Sequence, residues 1–351
     1  MISLIQNIIK IIILPLYITL FYFHIFQITI WGPLIHIGIF MIGMTAFLRR
    51  SLPVKNFVIA FLLIGFYVYL YTTDYFNLPA KWLGLPEKNS KWWLYAGLYT
   101  LFITGFGIQF IIKKRKDSYQ VFRTVSLIIV QITLASSIPF IMFLFGSKEF
   151  YFSYLWPLKI EYFYPQTIFS YPLPFILYSF LGSLILFPIL ALLFGKRFYC
   201  SWTCGCGGLA ETFGDQWRHL SDKSKSAWLF EKISIHSILA LAVISTFIIL
   251  INWAVGKNYP AYADFAFQVQ KFYGFFISFA LAGAAGVGFY PILGSRVWCR
   301  FFCPMAALLG LIQKVGRYHI RVKNNMCISC GNCSTYCEMG IDVRSYAEEN
   351  S

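Results

Sequence analysis

The sequence predicts an all-α integral membrane protein of about eight transmembrane helices, closed by a small cysteine-rich segment at the C-terminus. Three observations predict it. Of 351 residues, 58% are hydrophobic, 20% aromatic and only 12% charged, about half the charged share of a soluble domain. Apolar runs long enough to cross a bilayer, roughly 18 residues or more, recur along the chain. The stretches between them alternate between strongly basic and aromatic.

Eight runs fit spans, at about 3–23, 30–48, 56–73, 93–112, 122–145, 172–194, 234–254 and 273–293. The first is interrupted by Lys10 and Pro15. No small-residue cleavage site follows it, so a span is preferred there to a signal peptide. The net charge of +15 is distributed by loop: 21 of the 29 Lys and Arg lie after the second, fourth, sixth and eighth runs, and seven in the opposite loops. The basic side is cytoplasmic by the positive-inside rule, which places both termini there. Charge of this kind is topological, and no nucleic-acid partner is expected. The opposite loops carry Trp92, Trp93 and Tyr95, then Phe150, Tyr151, Phe152, Tyr154 and Trp156. Such rings suit a membrane-interface belt, with a quinone pocket as the alternative.

Eight of the nine cysteines fall in three groups within the last 152 residues. Cys327, Cys330, Cys333 and Cys337 form C-x2-C-x2-C-x3-C, the spacing of a ferredoxin loop around an iron–sulfur cluster. Cys200 and Cys204 follow the sixth apolar run, and Cys299 and Cys303 the eighth. These two pairs belong to a repeat offset by 99 residues: Gly195/Gly294, Arg197/Arg296, Tyr199/Trp298, Cys200/Cys299 and Cys204/Cys303. Two facing pairs would supply four soft ligands at the cytoplasmic membrane surface, suited to iron–sulfur or zinc. Thiols on that side stay reduced, which favours metal ligation over disulfides. The arginines read either as charges that stabilise a thiolate cluster or as positive-inside flanks. Two clusters need eight thiolates, and the three groups supply eight.

Other chemistry has little support. Four cysteines within eleven residues fit zinc poorly, since zinc sites space their Cys pairs or add histidine. There is no C-x-x-C-H for covalent haem, and no glycine-rich phosphate loop. His24 and His36 are the candidates for a haem b and more readily structural. Glu211 and Asp215, four apart, read as a solvated helix face rather than a proton path, so Glu211→Gln is expected to have a small effect.

On these residues the chain resembles the membrane polyferredoxins of the NapH/NosR/CcoG type, over roughly 172–345. The resemblance implies that Cys200, Cys204, Cys299, Cys303, Cys327, Cys330, Cys333 and Cys337 bind two [4Fe-4S] clusters, with the division of ligands between them open. Three positions depart from the pattern: Gly205 stands where proline is usual, Cys206 adds a third thiol, and Glu338 follows Cys337 in place of proline. The first five spans carry no motif of the family, so the expected organisation is a five-helix membrane region of unassigned role at 1–145, a three-helix core with the C-x3-C exits at 172–322, and a ferredoxin-like segment at 323–351. The implied activity is electron transfer, as the redox component of an oxidoreductase complex in a bacterial inner membrane. Electrons would pass between the quinone pool and a partner redox protein, the quinone being a candidate substrate. The family also includes accessory proteins that support assembly of a metal centre in another membrane enzyme.

Overall fold

A computed structural model describes residues 53–74, 76–86, 89–256, 258–317, 327–337 and 339–349. The spans expected at 3–23 and 30–48, His24, His36 and Glu338 lie outside the described residues. Among the described residues the fold is all-α, with no strand. Five helices are long and apolar enough to cross a membrane: α1 (Val54–Thr72), α2 (Ser90–Lys113), α3 (Ser118–Leu144), α4 (Leu173–Phe194) and, after two short helices, α7 (Lys225–Val255). Those two are α5 (Arg197–Trp202) and α6 (Gly205–Glu211).

The run expected at 273–293 differs. Its helix, α8, begins at Pro260 and ends at Val287, with a further turn at Tyr290–Leu293. The polar first turns of α8, with Asp264, Gln268, Gln270 and Lys271, dilute its apolar content, and it is not among the five. The chain closes with the π-helical turn Trp298–Phe302, α9 (Pro304–Gln313) and the cysteine-rich tail.

The bundle buries a set of polar side chains within its apolar core and turns further apolar side chains outward. Arg123, Gln131, Ser179, Ser183, Ser245 and Thr246 are buried, whereas Leu62, Leu101, Phe122, Leu184 and Phe247 are exposed. Lipid is as apolar as leucine, so association in a membrane relies on close packing and interhelical hydrogen bonds. Small residues permit the packing. A side chain at Gly283 of α8 would meet the Tyr67 ring at 2.6 Å, and one at Gly208 would meet Leu127 at 2.6 Å. Two of the long helices loosen into π turns, at Gln131–Ser137 and Gly182–Leu186. Pro139 and Pro188 follow close behind; each lacks the N–H that would continue the ladder.

The segment joining α3 to α4 is not a surface belt. Phe150, Leu155 and Tyr162 are fully buried, and Phe150 stacks on Tyr162 at 4.7 Å. Trp156 Nε1 donates to Thr246 Oγ1 at 3.0 Å, and the Ser153 carbonyl accepts from the Tyr199 hydroxyl. Irregular backbone at membrane depth is tolerated where protein covers it. The alternation of Phe and Tyr here fills a core, which single-residue preferences for the interface did not distinguish.

Candidate iron–sulfur site

The repeat seen in the sequence is a repeat in backbone geometry. Gly195 ends α4 at φ 82°, ψ 160°, and Gly294 ends the preceding turn at φ 96°, ψ 167°. Side chains rarely adopt that conformation, so glycine is required at both places. A short helical turn follows each, carrying Cys200 or Cys299. The second cysteine then leaves the helix: Cys204 lies at φ −80°, ψ 124° and Cys303 at φ −82°, ψ 112°. Its amide donates five residues back, to Tyr199 O or to Trp298 O, at 3.0 Å in each copy. Both cysteines are thereby N-cap residues, of α6 and α9. Helix N-termini present unpaired N–H groups and a partial positive charge, which favour a thiolate. Cys303 Sγ accepts from the Ala306 amide at 3.4 Å.

The two loops turn back between the long helices instead of stopping at their ends. Gln131 Nε2 donates to the Thr203 carbonyl at 2.9 Å. Gln131 lies about 20 Å along α3 from its first residue, at ~1.5 Å per residue, roughly halfway. From there α6 runs back beside α3, Gly208 against Leu127 and Glu211 against Arg123. Of the arginines that flank the two exits, Arg296 and Arg300 fold inward and are buried, whereas 37% of the Arg197 side chain stays exposed.

Cys200, Cys204, Cys299 and Cys303 are all buried and unpaired by disulfide. Burial, followed by the neighbouring thiol and reduced by Arg296, pushes Cys200 and Cys299 up to about 12. Cys303 is raised by burial and then by Cys299, Cys200 and Cys204. Among the described residues, no three His, Cys, Asp or Glu side chains gather around a point that would hold a single ion. A four-iron cluster asks for something else: one thiolate on each of four irons, spread over the faces of a cube. In chemistry the donor set suits that group: four buried thiols, two of them at helix N-termini.

The tail cysteines are arranged differently. Cys330 and Cys333 are exposed, Cys327 and Cys337 partly so. Ser329 and Gly331 have positive φ, 51° and 75°, and the alternation coils the chain tightly between the thiols. The tail meets the bundle where a side chain at Gly340 would strike Arg300 and approach Ser221 Cβ at 3.3 Å.

The departures from the expected pattern have physical causes. A side chain at Gly205 would meet Gln131 Oε1 at 2.7 Å, Tyr99 at 2.9 Å and the Tyr154 hydroxyl at 3.0 Å, so the site occupied by Pro304 in the second copy has no room here. Cys206 touches the Cys204 thiol and lines a separate cavity of about 340 Å³ among Tyr71, Tyr95, Tyr99, Tyr154 and Trp298.

Glu211 was missed. It is 5% exposed, and α6 ends on it, so it shares no helical face with Asp215. Its carboxylate lies 2.9 Å from Arg123 and 3.3 Å from Arg197, and it accepts from Arg296 and Ser201. Burial works to raise this carboxyl, and the three arginines hold it below the usual range. Asp215 pairs with Lys113 and Arg218. Arg197 and Arg296 are matched positions of the repeat, so one carboxylate ties the two copies together.

In comparison with known proteins, residues 176–225 and 276–323, one copy of the repeat in each, match the family described as 4Fe-4S binding domain. The chain is also 29% identical over 166 residues, 46% of each chain, to YccM of Escherichia coli (strain K12), whose name assigns it provisionally to electron transport. The match thus spans less than half of that relative's length. No solved structure matches.

Proposed function

We propose that the protein is a membrane-bound electron carrier that links a quinone, held in the aromatic cavity, to a partner redox protein on the cytoplasmic side. The observation that carries this reading is a set of four buried thiols in the two matched loops, one of which, Cys204, interacts with Cys206 in the cavity wall. A 4Fe-4S cluster, when bound, supplies one-electron chemistry whose potential follows charge, burial and hydrogen bonding. Cys200, Cys204, Cys299 and Cys303 would hold one such group, and Cys327, Cys330, Cys333 and Cys337 a second, exposed enough to meet a soluble partner. The cavity rings would stack on a quinone head, and their hydroxyls would offer it hydrogen bonds. Arg296 holds positive charge close to Cys200 and Cys299, and Glu211 ties it to Arg197.

Reconstitution in liposomes with menaquinol or ubiquinol tests this. Both sets of cluster signals should change oxidation state in absorbance and electron paramagnetic resonance. Failure of both quinols and of a reduced cytoplasmic donor would remove the conduit reading, and an accessory role in assembling another enzyme's metal centre would replace it.

A further inference from the structure

A second concavity, apart from the thiols and the aromatic cavity, opens where α4, α7 and α9 meet at their basic ends. Its volume is about 240 Å³. Lys196, Lys232 and Lys314 line it, together with His236. Its one carboxylate, Glu231, already accepts from Arg300 Nε at 2.7 Å. The floor is apolar, with Ile235, Ala306 and Leu311, and Trp228 forms a wall beneath the Lys232 ammonium, 5.6 Å from the ring centre. Gly310 keeps the space open: a Cβ there would sit 3.5 Å from Lys196 Cδ and 3.8 Å from its Nζ. The Lys196 backbone is pinned to α9 by Gln313 Oε1, at 2.8 Å from its amide.

We infer that this pocket binds the phosphate of an anionic phospholipid. Lysines from three separate elements line a space that, among the described residues, holds one acid, already committed, while apolar surface beside them suits acyl chains. Basic pockets between helices on the cytoplasmic side hold anionic headgroups in just this way. The inference rests on the membrane-spanning reading alone and is independent of the redox chemistry.

The test is native mass spectrometry of the full chain after exchange with vesicles of phosphatidylglycerol or of phosphatidylcholine, with inorganic phosphate alone as a third arm. The intact protein should retain phosphatidylglycerol about tenfold over phosphatidylcholine. Combined Lys196→Gln, Lys232→Gln and Lys314→Gln should abolish the preference. Gly310→Leu, which fills the space and leaves every charge, should do the same. Arg115→Gln with Lys116→Gln, exposed on another basic loop, should not. Equal retention of the two lipids, undiminished preference in the Gly310 variant, or binding of phosphate without lipid would overturn it.

Discussion

Glu211 gathers three guanidinium groups from three stretches of chain, and its removal would leave Arg123 and Arg296 buried without their counter-charge. Breaking a buried pair from one side typically costs about 3–5 kcal/mol. Glu211→Ala should therefore lose most of its folded protein on mild heating in detergent, and Glu211→Gln should lose less, since an amide still accepts from Ser201. Unchanged melting of both variants would contradict the cage. Gly205 makes a second prediction. Gly205→Pro, which restores the motif's usual residue, should abolish the buried site's cluster absorbance because Gln131, Tyr99 and Tyr154 occupy the space. Cys206→Ser should leave the iron content nearly unchanged; loss of a whole cluster would move a ligand from Cys204 to Cys206. The cysteines, the paired arginines and the glycines were legible because their spacing repeats. The burial of Glu211 was not, because its partners lie 85 and 88 residues away in sequence and no local pattern joins them.

At the scale of elements, the unit is a glycine exit, a helical turn, a cysteine N-cap and a returning helix, built twice. That it occurs twice could be read from the sequence. How its loop packs could not, because arginines that stay outside and arginines that fold inward give the same string of letters. The Gln131–Thr203 bond ties the first loop to the middle of α3. Gln131→Leu leaves the partly buried Thr203 carbonyl without this donor, at a cost of up to about 1–3 kcal/mol, and should lower thermal stability accordingly. Thr133→Val, on the same helix, removes only a hydroxyl bonded within α3 and should be nearly silent. Equal effects of the two would mean that the loop does not depend on this anchor. The α3–α4 connection taught the same lesson: aromatic residues that suit an interface equally suit a core, and only their long-range partners, such as Tyr199 and Thr246, decide.

Across the whole molecule, five spans lie within a few residues of the apolar runs that predicted them, with α7 starting earlier than its run because helix continues through the polar stretch from Lys225. Hydropathy is legible because bilayer thickness fixes the length of a span. The orientation follows from charge: reporter fusions at Asp117 and Lys223 should report the cytoplasm and one at Lys159 the opposite side. A reversed signal at Lys223 would invert the placement of both thiol groups.

On the function proposed above, the two matched loops jointly hold one cluster inside the bundle, apart from a second in the tail. Iron counting with electron paramagnetic resonance on protein purified without oxygen tests it most directly. The intact chain should carry about eight iron atoms in two four-iron clusters, and Cys299→Ser should remove one set of signals while the set lost in Cys330→Ser persists. About four iron atoms in the intact chain, with signals that Cys299→Ser leaves untouched, would contradict the claim.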